Sequence, residues 1–159
     1  MKNFLLTLMV LPICSFSQSK LNITGNTGVL SVDKEIHLLL NASINYDINS
    51  NFRVGLDTYV SPFEVNNVKN HNNQFYAFVE YRIPKLNCLN NKLYISLIGG
   101  PGIINIGNKD NSKTEYSTIL ASKINYNISK KTTIGLKQGF LLNDINNAAF
   151  VGFFINYSF

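Results

Sequence analysis

From Glu35 onward the chain alternates by parity. Ile36, Leu38, Leu40, Ala42, Ile44, Tyr46 and Ile48 share one parity, while His37, Leu39, Asn41, Ser43, Asn45 and Asp47 share the other. Successive side chains of a β-strand point to opposite faces, so the stretch predicts one long strand with an apolar face and a mainly polar one. A helix would scatter both sets around its circumference. The pattern recurs from Phe52 to Val60, Phe75 to Ile83, Leu93 to Leu97, Tyr116 to Ile128 and Ile134 to Leu142, with Gln138 as an exception on the apolar side. It returns at the end of the chain as Val151, Phe153, Ile155, Tyr157 and Phe159, and a weaker strand, LNITGNTGVLSV, precedes the rest. The reading gives eight strands, at 21–32, 36–48, 52–61, 74–84, 92–104, 114–128, 132–143 and 147–159.

An even number of strands in up-and-down order predicts a closed antiparallel barrel. The connections NSN and SKK are tight, PKLNCLNN is intermediate, and the polar segments 61–74 and 105–115 read as long loops at the opposite end. The stretches INYDINSNFRVGL (44–56) and INYNISKKTTIGL (124–136) echo each other, as one type of hairpin turn used twice would do. Tyr46, Tyr126 and Tyr157 each stand just before a tight turn or the chain end, where a membrane barrel carries an aromatic girdle. The apolar parity carries no Lys, Arg, Asp or Glu in the clear strands, whereas the other carries Arg53, Asp57, Glu80, Arg82, Lys123 and Lys137. A soluble barrel would turn the apolar face inward; a membrane barrel turns it out and must pair its charges inside. The fold class expected is therefore all-β: an eight-stranded antiparallel up-and-down transmembrane β-barrel, with those six charges as a structural ion-pair network in the lumen.

Composition sharpens this picture. Charged residues make up 14 % of the chain, against roughly 25 % in soluble domains, and aromatic residues 12 % without a single Trp. The first 17 residues have a positive start, an apolar core FLLTLMVLPIC and the small residues SFSQ. That is the pattern of a cleaved secretory signal peptide, leaving one domain over 18–159. Ile13 stands where a lipoprotein signal before Cys14 would need a small residue. The mature chain would keep a single cysteine, Cys88, and so no internal disulfide. No later apolar run is long enough for a transmembrane helix. With nothing after the last strand, no tethered periplasmic domain is expected.

The net charge of +5 is scattered, without a patch for nucleic acid. No metal-ligand spacing is present, and GGPGI lacks the Lys-Ser/Thr of a phosphate-binding loop, so no cofactor is expected. His37 reads as an interior polar residue, His71 as a loop residue, and the Glu80 and Arg82 pair as structural. No catalytic residue is assigned and the chain is not expected to be an enzyme.

The closing stripe Phe153, Ile155, Tyr157 and Phe159 resembles the C-terminal β-signal of Gram-negative outer-membrane proteins. The mature chain as a whole resembles the small outer-membrane β-barrel families. The resemblance implies the outer membrane as location. It also implies outer-membrane lipids and lipopolysaccharide as surroundings, and the barrel assembly machinery as the reader of the last strand. The SFSQ region and the Asn-, Ile- and Lys-rich composition are similar to proteins of Bacteroidetes. The expected role is structural or surface-binding, through loops 61–74 and 105–115 toward an extracellular or envelope partner, with the lumen plugged by polar side chains. Two alternatives stand beside it. One is a component of an envelope or conjugal-transfer machine, since GVLSV and the RIP…GG region resemble barrels of Bacteroidetes conjugative transposons. The other is a lipid-modifying barrel enzyme with His37 as its candidate residue.

Overall fold

The eight strands are β1 (Leu21–Val32), β2 (Glu35–Asp47), β3 (Phe52–Val65), β4 (Val68–Arg82), β5 (Leu93–Gly107), β6 (Ser112–Asn127), β7 (Thr132–Asn143) and β8 (Ala148–Ser158). They come from a computed structural model that describes residues 20–32, 35–65, 68–83, 92–107, 112–144 and 147–159, with backbone alone at 63–65 and 68–70. The signal segment 1–17 and Cys88 lie outside the described residues. Each strand pairs antiparallel with its sequence neighbours, and β8 returns to β1 to close the barrel. The closing ladder runs from Asn22↔Ser158 to Ser31↔Ala149, and the Phe159 backbone N–H donates to the Leu21 carbonyl at 3.0 Å. Closure is what lipid demands of a sheet, because an open edge would leave backbone groups unsatisfied in hydrocarbon.

The two parities separate by burial. Ile36, Leu56 and Phe153 on the apolar parity are 73 %, 66 % and 70 % exposed, while Glu80 is fully buried and Lys123 and Lys137 nearly so. The apolar face is the outside of the barrel and the charged face its inside. This is the inverted polarity of a transmembrane β-barrel.

The echoed hairpins share one turn. Asn49 Oδ1 accepts from the backbone N–H groups of Asn51 and Phe52 at 2.8 and 2.9 Å. Ser129 Oγ accepts from those of Lys131 and Thr132 at 3.2 and 3.0 Å. A short polar side chain thus mimics a backbone turn in both places. Further in, each hairpin places a glycine opposite an inward phenylalanine of the next strand: Gly55↔Phe78 and Gly135↔Phe154. A Cβ on Gly135 would stand 2.9 Å from the Phe154 ring and one on Gly55 2.8 Å from the Phe78 ring, so the absence of a side chain makes room for the ring. At the turn end, Tyr126 and Tyr157 stand on the outer wall, joined there by Phe52 and Tyr81, whose ring centroids are 5.0 Å apart. Lys20 and Lys131 lie 6.0 Å from the ring centroids of Tyr46 and Tyr157.

The structure corrects the reading of the segments 61–74 and 105–115. They are not long loops. β3 continues to Val65 and β4 starts at Val68, with the ladder unbroken from Ser61↔Asn72 to Val65↔Val68. β5 continues to Gly107 and β6 starts at Ser112. Alternation fades there because both parities are polar, as in VKNHNNQ, so periodicity carries no signal although the backbone stays extended. The longest stretch between successive strands joins β4 to β5, from Ile83 to Lys92, at the end of the tight turns. The asymmetry between the two ends is one of strand length rather than loop length.

Candidate functional site

Two places concentrate chemistry: the lumen and the outer end of β3–β6. In the lumen, strand parity aims every charge inward and the register decides which charges meet. Asp47 and Arg53 flank the first tight turn as a cross-strand pair, and Arg53 Nε donates to Asp47 Oδ1 at 2.7 Å. Arg82 Nη2 donates to the same oxygen at 2.9 Å, and Asn22 Nδ2 to Asp47 Oδ2 at 3.1 Å. Arg53 faces Glu80 across the next pair of strands, with Nη1 at 3.9 Å from Oε2. Glu80 also accepts from Lys123 Nζ at 2.9 Å and from Ser96 Oγ at 2.8 Å.

Lys123 and Lys137 stand directly opposite each other on β6 and β7. Like charges in register repel, so each requires an acid from elsewhere. Lys123 takes Glu80 from β4. Lys137 reaches across the lumen to Asp57 on β3, Nζ to Oδ2 at 2.5 Å. Asp57 accepts further bonds from Asn41 Nδ2 at 3.0 Å and the Tyr59 hydroxyl at 3.1 Å. Aromatic faces complete the surroundings: Lys123 Nζ lies 5.3 Å from the Phe154 centroid, and Lys137 Nζ lies 5.0 Å from that of Tyr59. Above them Tyr59 and Tyr76 meet edge to face at 5.7 Å, and the Tyr76 hydroxyl bonds Gln74 and Ser117. The six charges named from sequence are thus all in ion pairs, and Asp47, which sequence reasoning placed on the polar parity but left out of the network, is a hub between two of them. Its equal spacing from the turn with Arg53 is the signal that could have found it.

The outer end is built differently. Pairing of β2 with β3 stops at Leu40↔Val60, and that of β6 with β7 starts at Ser117↔Asn143. Residues 61–65 of β3 and 112–116 of β6 are therefore laddered on one side only, among the described residues. Pro62 has no N–H to give the β2 ladder, and Ser61 Oγ instead donates to the Leu38 carbonyl at 2.8 Å. The result is a four-stranded sheet, β3 to β6, with two open edges. His71 belongs to β4 rather than to a loop, and its Nε2 lies 3.0 Å from Asn105 Oδ1 on β5. Asn105 Nδ2 in turn donates to Thr114 Oγ1 on β6 at 2.8 Å. Lys113 and Glu115 form an ion pair on the β6 edge. His37 stands near the outer end of β2, with Nε2 3.5 Å from a carboxylate oxygen of the exposed Glu35. Among the described residues no cluster of three His, Cys, Asp or Glu side chains could hold a metal ion.

No protein-family model matches the chain, and no curated protein matches it. Solved structures do. Neisserial surface protein A superposes with a TM-score of 0.71 at 10 % identity, covering 90 % of this chain and 98 % of that one. The N-terminal β-barrel domain of Pseudomonas aeruginosa OprF gives 0.64 at 15 % identity, over 89 % and 98 %. The outer membrane enzyme PagL gives 0.55 at 9 % identity, over 87 % and 99 %. At these identities the likeness is one of fold: this chain has the fold of the small eight-stranded outer-membrane β-barrels of Gram-negative bacteria.

Proposed function

We propose that this chain is a non-enzymatic barrel of the outer membrane that binds an extracellular or envelope partner through the projecting sheet of β3 to β6. The observation that carries the reading is the pair of open strand edges at residues 61–65 and 112–116, since unpaired N–H and C=O groups above the membrane are ready to accept an extended segment. The lumen supplies rigidity and no passage. Eight strands leave about enough room for their own side chains, and here Arg53 and Lys123 paired with Glu80, and Lys137 paired with Asp57, fill it. Export through the signal segment 1–17 and recognition of Phe153, Ile155, Tyr157 and Phe159 by the assembly machinery place the barrel among outer-membrane lipids and lipopolysaccharide. The similarity to PagL is of fold alone and assigns no reaction to His37.

The test shortens the projecting hairpins in register, removing 63–70 and 106–113, and compares surface display and partner capture on intact cells. The barrel should remain heat-modifiable on gels while binding to the cell's own envelope or to host surfaces falls at least tenfold. Unchanged binding with both hairpins trimmed would contradict a role for the sheet.

A further inference from the structure

Gln138 breaks the apolar parity of β7. It is exposed on the lipid-facing wall, the seventh of the twelve residues of its strand, between Leu136 and Phe140. Its cross-strand neighbours are Ser122 on β6 and Val151 on β8. Its carboxamide has no hydrogen-bond partner among the described residues. Strands rise about 3.3 Å per residue and tilt by roughly 35–45°, which puts Gln138 roughly 12–15 Å from either end of β7, at mid-depth of the hydrocarbon. Neither water nor a lipid headgroup is within reach of a side chain that short. A polar group there is costly unless another polypeptide satisfies it.

We infer that the wall around Gln138 is a contact between two copies of this chain, related by a twofold axis along the membrane normal. A carboxamide carries both a donor and an acceptor. Two of them facing each other across a twofold axis exchange a reciprocal pair of N–H···O=C bonds, which no acyl chain can offer. The surroundings permit the approach. A groove of about 640 Å³ includes Gln138 in its lining, together with the small residues Ser31, Ser122 and Ala149 and the larger Leu120, Phe140 and Val151. Small residues at a lipid-facing contact let two backbones come close, which is where packing gains in a membrane arise. The Ser122 hydroxyl, directly opposite Gln138, adds a second polar group to the same contact.

The experiment measures association of the folded mature chain by sedimentation equilibrium in density-matched micelles. It is repeated by Förster transfer between N-terminally labelled copies in phosphatidylcholine vesicles. A reversible dimer is expected, with Gln138→Leu weakening it roughly tenfold, Gln138→Asn less so, and Leu56→Ala on the opposite wall leaving it unchanged. Heat-modifiable migration verifies that each variant is folded, and a lipid-facing leucine poses no folding problem. A chain monomeric at every protein-to-lipid ratio would overturn the proposal. So would a dimer of equal affinity in Gln138→Leu, or association only with a different membrane protein through Gln138.

Discussion

Replacing Glu80 by Gln is expected to lower the unfolding free energy of the barrel by about 3–5 kcal/mol, the usual cost of breaking a buried ion pair from one side. Glu80 is fully buried and receives Lys123 at 2.9 Å and Arg53 at 3.9 Å. Arg53 would keep Asp47 at 2.7 Å, but Lys123 would keep no acid and would still face Lys137 across the ladder. What remains to Lys123 is the faces of Phe154 and Phe78, at 5.3 and 6.0 Å. Such contacts are worth about 0.5–2 kcal/mol, too little to offset a desolvated ammonium. The double variant Glu80→Gln with Lys123→Met should recover most of the loss, because no unpaired charge is left inside. Urea unfolding of the refolded chain in phospholipid vesicles measures both. A single variant costing less than about 1 kcal/mol, as a solvated surface pair does, would show that the lumen is wet.

The second large effect lies on the other face. Leu56→Arg replaces a side chain that is 66 % exposed on the outer wall of β3, in register with Ala77 and Ile44. On a water-facing surface such a change falls within about 0.5 kcal/mol of neutral. In the hydrocarbon belt of a transmembrane barrel it costs about 2–4 kcal/mol. The same unfolding assay in vesicles should show that loss, and Leu56→Ala a much smaller one. Near-neutral arginine at this position would mean that the exposed apolar wall does not meet lipid.

The same two faces decide how much of the fold is legible in the sequence. β2 and β8 were legible because each crosses the hydrocarbon with one face in lipid and one inside, so parity alone separates Ile44 from Asn45 and Phe153 from Phe154. The inward direction of Asp57, Glu80, Lys123 and Lys137 followed from the same rule. Their partners did not. Lys137 and Asp57 are 80 residues apart in sequence and meet only because β3 and β7 face each other across a closed barrel. That distance depends on every register between them. Asp47 falls on the polar parity, but alternation does not say that Arg53 and Arg82, 6 and 35 residues away, converge on its carboxylate. The projecting strands were hidden for the opposite reason: in stretches such as VKNHNNQ both parities are polar, and extended backbone with two polar parities has no period to detect.

An apolar parity that faces lipid over the whole wall has a direct signature. Nitroxide side chains placed singly at Ile36, Leu38, Leu40, Ala42 and Ile44, all exposed on β2, test it in reconstituted vesicles. Power saturation reports collisions with dissolved oxygen, which concentrates in hydrocarbon, and with a water-soluble nickel chelate, which does not enter it. The structure predicts that oxygen exceeds nickel from Leu38 to Ile44, with the difference narrowing toward Ile36 at the outer rim. Nickel collisions equal to or above those of oxygen along the stripe would contradict a transmembrane wall.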